Sequence, residues 1–176
     1  SITLEDCPNL RSLDGLEGVT LDYLFCTNCP KLEDVSALTQ MWIKKAIHLN
    51  NTNINALPAL AGVSFGSLYL TGCTRLTSLD GLQGVTLELL NCEGRENLED
   101  ISALAKATIT RSINLSGTAV RDISPLRDSA CVRVWLDDCG DLESLFSIWE
   151  MPNVQTIYFR NSNLTREEVN RDRYNN

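Results

Sequence analysis

Seven cysteines and one histidine are the residues of this 176-residue chain whose types suggest redox, metal or acid–base chemistry. Cys26 and Cys29 form a CxxC pair, which is the spacing of dithiol redox motifs and of one half of a zinc site. A zinc site needs a second pair of ligands, and the remaining cysteines form no second CxxC. Seven is an odd number, so a complete set of internal disulfides is excluded. Which of these side chains can do chemistry depends on the elements that hold them.

The overall composition narrows the classes of partner. Acidic side chains outnumber basic ones by 23 to 15, and the net charge of −8 argues against binding to nucleic acid or to anionic membranes. No apolar run approaches the roughly 20 residues of a membrane-spanning helix. The first six residues show neither the basic start nor the apolar stretch of a secretory signal. Hydrophobic and charged contents of 43% and 22% are typical of one folded domain.

An internal duplication organises the chain. Residues 10–21 (LRSLDGLEGVTL) recur as residues 76–87 (LTSLDGLQGVTL), and residues 32–38 (LEDVSAL) recur as residues 98–104 (LEDISAL), both after 66 residues. Each 66-residue block divides into three units, and every unit carries an apolar–x–apolar pair followed by apolar residues spaced by three. The second members of these pairs mark about eight units: Leu4, Cys26, Leu49, Leu70, Cys92, Leu115, Leu136 and Phe159.

The unit pattern predicts a stacked architecture. Successive units are 22, 23, 21, 22, 23, 21 and 23 residues apart. An apolar–x–apolar pair has the period of a β-strand, and an apolar spacing of three suits a 3₁₀-like turn. Because no single unit can bury its apolar face alone, neighbouring units must stack into one continuous core.

The units resemble leucine-rich repeats, as residues 68–79 (LYLTGCTRLTSL) illustrate, and residues 115–126 (LSGTAVRDISPL) resemble the short repeats of internalins. The resemblance covers nearly the whole chain. It implies an α/β fold, a right-handed, curved superhelical solenoid with a parallel concave sheet of about eight strands and short helical or 3₁₀ turns on the convex side. We expect the repeat domain to span residues 1–164. A capping box formed by Thr165 and Glu168 predicts a capping helix or tail over residues 165–176.

The repeat pattern gives six of the seven cysteines a structural place. Cys26 and Cys92 occupy the second position of the apolar pair, a core site where a free thiol acts as a small hydrophobic side chain. Three residues later, a small polar side chain can hydrogen-bond backbone groups that are left unpaired where the strand ends. The cysteines at that position are Cys7, Cys29, Cys73 and Cys139. Arg95 stands there in the fifth unit and predicts an altered turn. Only Cys131 falls outside the pattern, so we expect alkylating reagents to reach it first.

The same register identifies the side chains that face outward from the strands. The residue between the two apolar members of each pair points away from the core. In chain order these residues are Thr3, Phe25, His48, Tyr69, Asn91, Asn114, Trp135 and Tyr158. Four of the eight are Phe, Tyr or Trp, although these types make up 6% of the chain.

Aromatic and arginine side chains dominate binding hot spots, so this outward face predicts a partner-binding surface. The predicted contact residues are Tyr23, Phe25, His48, Tyr69, Asn91, Asn114, Arg133, Trp135, Tyr158 and Arg160. The alternative is that aromatic side chains merely suit exposed strands and support one another across neighbouring strands.

These observations predict a protein–protein interaction module that presents a rigid concave surface to a protein or peptide. It would be the recognition domain of a larger protein, such as a bacterial effector, a receptor or a scaffold. The alternative is a structural subunit that a multiprotein assembly holds by its edges and convex face. Reduced cysteines in register predict a reducing compartment, hence an intracellular, cytoplasmic location or delivery into a host cytoplasm by a bacterium.

Enzymatic chemistry is not expected. His48 is the sole candidate general base, and its predicted outward neighbours include no carboxylate directly beside it. No phosphate-binding loop and no zinc-ligand spacing occur. We therefore expect no catalytic residues, no cofactor, no metal ion, no small-molecule substrate and no nucleic-acid partner.

Overall fold

A computed structural model describes residues 1–94 and 96–164 of the chain. In that part, eight strands form one open sheet in chain order, and every neighbouring pair is parallel. The strands are β1 (Ile2–Thr3), β2 (Thr20–Phe25), β3 (Trp42–His48), β4 (Ser67–Tyr69), β5 (Thr86–Asn91), β6 (Thr108–Asn114), β7 (Arg133–Trp135) and β8 (Thr156–Tyr158). The altered turn predicted at Arg95 and the capping helix predicted over residues 165–176 lie outside the described residues.

Short helices occupy the segments that return from one strand to the next. They are 3₁₀ helices at Ser36–Gln40, Asp80–Leu82, Ser102–Lys106 and Ser124–Leu126 and one α-helical turn, α1 (Phe146–Trp149). The repeated Asp–x–Ser sequence begins three of them, because the carboxylate accepts the N–H of the serine two residues later. The donor–acceptor distances are 2.8 Å for Ser36 on Asp34, 2.8 Å for Ser102 on Asp100 and 2.7 Å for Ser124 on Asp122. These hydrogen bonds hold the pKa of Asp34 and of Asp100 below the usual value.

The apolar positions of the repeat form one continuous core between the sheet and the helices. Leu24, Leu68 and Leu90, the first members of their pairs, are fully buried. Each unit covers the apolar face of the next, so burial is shared between neighbours rather than completed within a unit. A single parallel sheet in chain order with short helices between its strands fits the predicted repeat solenoid of α/β type.

A constant 22-residue period underlies the unequal unit lengths. The buried residues Leu21, Ile43, Phe65, Leu87, Ile109 and Cys131 follow one another in steps of 22. In β3, one more residue separates the buried residue Ile43 from the apolar pair than separates Leu21 from its pair in β2. The pairing register between β2 and β3 shifts between these two positions. The same shift recurs between β5 and β6. The β-bulges in β3 and β6, which lie three units apart, therefore lengthen the spacing before them to 23 residues and shorten the next to 21.

The expectation that Cys131 lies outside the repeat is wrong. Cys131 is the equivalent of Phe65, which lies 66 residues earlier, and both side chains are buried in the core. The apolar pair alone does not reveal this position, because the bulge changes its distance from the pair.

Every strand is followed by a residue in the left-handed region of backbone conformation. The residue two positions after each apolar pair has a φ between 54° and 72°. These residues are Asp6, Asn28, Asn51, Gly72, Gly94, Gly117, Asp138 and Asn161. Glycine, asparagine and aspartate are the types that adopt this conformation most readily, which explains the restricted composition. Some of the side chains also link units: the Asn51 amide donates to Asn28 over 2.8 Å, and the Asn28 amide donates to Asp6 over 3.0 Å.

Alanine substitutions at Gly94 and Gly72, with Gly140 as a control, separate the cost of the left-handed backbone from the cost of steric crowding. Gly94→Ala has open space for its Cβ but a φ of 72°, so we expect the free energy of unfolding to fall by roughly 1–2 kcal/mol. Gly72→Ala should cost more, because its Cβ would also collide with the Asn51 side chain. Gly140→Ala, with no positive φ and no neighbour within 4 Å, is the control and should be near neutral. Urea unfolding measures all three, and an equal loss in each would contradict the left-handed assignment.

Candidate binding surface

The strand register aligns the predicted outward residues across the whole sheet. Each one pairs with its equivalent on the neighbouring strand, in the order Thr3, Phe25, His48, Tyr69, Asn91, Asn114, Trp135 and Tyr158. We call this set the column. All but the exposed Thr3 are partly exposed, while most of the adjacent apolar positions are buried. The column is therefore one outward-facing row of side chains, at one residue per strand.

The rings of the first half of the column stack on one another. The ring centroids of Phe25 and His48 are 4.7 Å apart, and those of His48 and Tyr69 are 4.3 Å apart with only 9° between the ring planes. Tyr23 extends this first stack, with its centroid 5.7 Å from that of Phe25. The ammonium group of Lys45 lies 5.3 Å from the Tyr23 centroid and 3.4 Å from a carboxylate oxygen of Asp22. A cation is thus held over the outer ring of the first stack.

A second stack lies at the other end of the sheet. The rings of Trp135 and Tyr158 are 5.2 Å apart and 9° from parallel. Between the two stacks the column holds the amides of Asn91 and Asn114 instead of rings. A cavity of about 150 Å³ opens there, and we call it the slot. Its lining residues are Leu89, Leu90, Asn91, Ser112, Asn114 and Trp135.

His48 serves as a ring in the first stack. Phe25 and Tyr69 stack on it from the two neighbouring strands. Burial lowers the pKa of His48 below its ordinary value of 6.5, and the more weakly acting negative charge of Glu5 raises it. The imidazole is therefore mainly neutral near pH 7. Within residues 1–94 and 96–164, no group of three or more His, Cys, Asp or Glu side chains could hold a metal ion.

The CxxC cysteines occupy two ordinary repeat positions. All seven cysteines are free. Cys26 is completely buried in the core, and its thiol has a pKa raised to about 12, chiefly by burial. Cys29 instead donates a hydrogen bond of 3.0 Å to the carbonyl oxygen of Leu4 in the preceding unit. The two sulfur atoms therefore have separate structural roles.

The turn position after each strand binds backbone carbonyls, as its small polar side chains predict. The Leu49 carbonyl accepts hydrogen bonds from the Thr52 hydroxyl at 2.8 Å and from the Cys73 thiol at 3.0 Å. Sixty-six residues later, the Leu115 carbonyl accepts equivalent bonds from Thr118 at 2.7 Å and from Cys139 at 3.2 Å. These bonds satisfy carbonyl groups that would otherwise lose their partners where the strand ends.

The structure distributes the predicted contact residues unevenly. Four of them form the first stack and two form the second, while Asn91 and Asn114 border the slot. Arg133 and Arg160 are exposed beside the second stack at flanking positions of the last two units. Sequence reasoning missed Leu89 and Ser112 as slot residues, although each lies two residues before its column member and the two pair in the same register as Asn91 and Asn114. The two-residue step from the column is the signal that would have located them, because Tyr23 and Arg133 occupy the same position in other units.

The chain matches no protein-family model and no curated protein. Within the part of the chain that the structure describes, no helix is long and apolar enough to cross a membrane. The geometry of the column is consequently the basis for a functional proposal.

Alkylation should label Cys7 before any other cysteine, in contrast to the expectation for Cys131. Cys7 is the only cysteine that is partly exposed, whereas the other six are buried. Burial also raises the pKa of the Cys131 thiol and so lowers its fraction of reactive thiolate. Mass spectrometry of the folded protein after brief iodoacetamide treatment gives the order. Labelling of Cys131 before Cys7 would contradict the buried position, and Cys7→Ser identifies the fast site.

The single histidine makes the pH response of the first stack measurable. The NMR titration midpoint of His48 should lie below 6.5, because burial disfavours the charged imidazole. Since the folded-state pKa is the lower one, the stability contribution is complete above pH 6.5 and is lost as the pH falls through the folded-state pKa. His48→Gln should remove this part of the pH dependence of urea unfolding between pH 7.5 and 5. A midpoint at or above 6.5 would refute the stacked, desolvated environment.

Proposed function

We propose that the chain is a leucine-rich-repeat-type solenoid whose column, on the concave side of the sheet, binds a protein or peptide. The observation that carries the proposal is the pair of ring stacks, which hold six predicted contact residues on one face. Aromatic side chains are enriched among the few residues that supply most of the free energy of protein association. No catalytic step is part of this function.

The fixed positions of the stacked rings favour a role in binding a partner over a role only in the stability of the sheet. Each column ring stacks on a ring of a neighbouring strand, so little side-chain entropy is lost when a partner covers it. Stacking across strands also stabilises the sheet, by roughly 0.2–1 kcal/mol for each pair. That contribution explains why rings tolerate exposure, but it does not explain the interruption of the column by a slot with an apolar floor.

The cysteines support a reducing compartment as the place of action. Seven free thiols include six that are buried, and several of them donate hydrogen bonds to backbone carbonyls. Oxidation to disulfides would remove these donors and would require the sulfur atoms to leave their positions in the core. We propose a cytoplasmic location on this ground.

A structural role through the edge of the sheet is the second candidate. Trp42, at the start of β3, is 66% exposed and is the one large hydrophobic side chain that is exposed in the described ranges. It borders a cavity of about 430 Å³ together with Met41, Ala61 and Val63. An exposed tryptophan beside a cavity, at the edge of the sheet formed by the amino-terminal ends of the strands, would suit a subunit contact in a larger assembly.

Partner capture with two variants distinguishes the candidates. The variant with Phe25, Tyr69, Trp135 and Tyr158 replaced by alanine should lose captured partners by tenfold or more. Trp42→Ala, which removes an aromatic side chain outside the column, should retain them. Circular dichroism and urea unfolding verify that both variants are folded. If the folded column variant keeps every partner, the column proposal is wrong, and loss of partners by Trp42→Ala alone would favour the edge contact.

A further inference from the structure

We propose that the slot binds the guanidinium group of an arginine in a basic peptide segment of the partner. The arginine would stack on the free face of Trp135 and pair with the carboxylate of Glu93. This inference rests on the proposed binding function of the column. It adds the type of partner side chain that the slot would bind.

The two stacks turn ring faces toward the slot. Rings that stack from strand to strand have their faces directed along the column, so each stack ends in an uncovered face. His48 covers one face of Tyr69, and the other face is directed toward β5. Tyr158 covers one face of Trp135, and the other is directed toward β6 and lines the slot. At about 4.8 Å between neighbouring strands, the position above β6 is one stacking distance from the Trp135 ring.

The floor of the slot is apolar at Leu89 and Leu90. The side-chain amides of Asn91 and Asn114 at its border already make hydrogen bonds within the protein. Leu89 and Ser112 lie in register on β5 and β6, and Leu89 is partly exposed. The Asn114 side-chain oxygen accepts the N–H of Ser116 at 3.0 Å. The Asn91 side-chain oxygen accepts the N–H of Glu93 at 3.0 Å. These bonds hold the two amides away from the centre and leave room for one small planar group.

Glu93 supplies the opposite charge. The side-chain amide of Asn114 donates to a carboxylate oxygen of Glu93 over 3.3 Å, so the carboxylate is held beside the slot. None of the ion pairs among residues 1–94 and 96–164 involves Glu93. Arg111 precedes Ser112 in β6, and Arg133 pairs with Ser112 on β7; both are exposed on the side of the slot away from Glu93 and would direct an incoming cation toward Glu93. The net charge of −8 also attracts basic segments.

Arginine fits this set of contacts better than the other candidates. Its guanidinium is planar and stacks on an aromatic face while remaining charged. It also offers paired N–H donors in the geometry that a carboxylate accepts. The ammonium group of lysine lacks the plane, and an aromatic side chain would stack on Trp135 without satisfying Glu93.

Titration with short peptides tests the occupant directly. The probes are acetyl-GRGRG-amide and the same peptide with citrulline, which keeps the planar shape without the charge. In ¹⁵N-labelled protein, the arginine peptide should shift the indole resonance of Trp135 and leave those of Trp42 and Trp149 in place. Citrulline should bind about tenfold more weakly, in line with the loss of one charge-assisted contact.

Matched charge variants complete the test. Glu93→Gln should weaken binding of the arginine peptide about tenfold, whereas Glu99→Gln, with the same charge change away from the slot, should leave it unchanged. Equal affinity for citrulline, or equal effects of the two variants, would overturn the proposal in favour of general charge attraction. Tighter binding of acetyl-GFGFG-amide at Trp135 would overturn it in favour of an apolar occupant. None of these results contradicts the proposal that the column binds a partner. That proposal is contradicted only if the variant with Phe25, Tyr69, Trp135 and Tyr158 replaced by alanine retains all partners.

Discussion

The hydrogen bonds between successive strands are the constraint on which the rest of the molecule depends. Each unit donates its backbone amides to the next: Leu4 to the Phe25 carbonyl at 2.7 Å, and Cys26 to the His48 carbonyl at 2.8 Å. This ladder sets neighbouring units one strand spacing apart, so that equivalent side chains meet in rows. The buried rows form the core, and the outward row forms the column. Ring stacking at 4.3–5.2 Å between column residues is a consequence, because two flat side chains on adjacent strands have that separation.

The ladder of hydrogen bonds ends at the carboxyl end of each strand. The residues with restricted types lie at that point. A left-handed residue reverses the backbone after each strand, which restricts the position to Gly, Asn or Asp. One residue later, threonine or cysteine donates to a carbonyl that the ladder no longer reaches. The cysteines are therefore hydrogen-bond donors and core residues of the same kind as their Thr and Leu equivalents, and their number follows from the repetition of these positions.

The period of the sequence predicts the structural features that recur in every unit. The apolar pairs identify the eight strands, their parallel order and all members of the column, since alternation along a strand determines which side chains face outward. Cys131 was missed because a bulge lies between its row and the apolar pairs from which the register is counted. The slot was missed because an open space between side chains depends on their conformations, which no spacing encodes. Stacking between Tyr69 and His48, and the bond from Asn114 to Glu93, depend on side-chain torsions that no spacing encodes. The leucine-rich resemblance and the curvature that it implies remain predictions.

The bulge in β3 and β6 also determines how such a molecule can grow. A single 22-residue unit could pair without a bulge, as β4 and β5 do, but it would change the number of strands between one bulge and the next. A block of 66 residues carries its own bulge and presents the same edges as the block that it joins. The heritable building block is therefore three strands, and each duplication extends the sheet by about 14 Å, at about 4.8 Å per strand. Under this rule the outward face of the sheet lengthens in fixed increments, while point substitutions alone decide which increments carry rings.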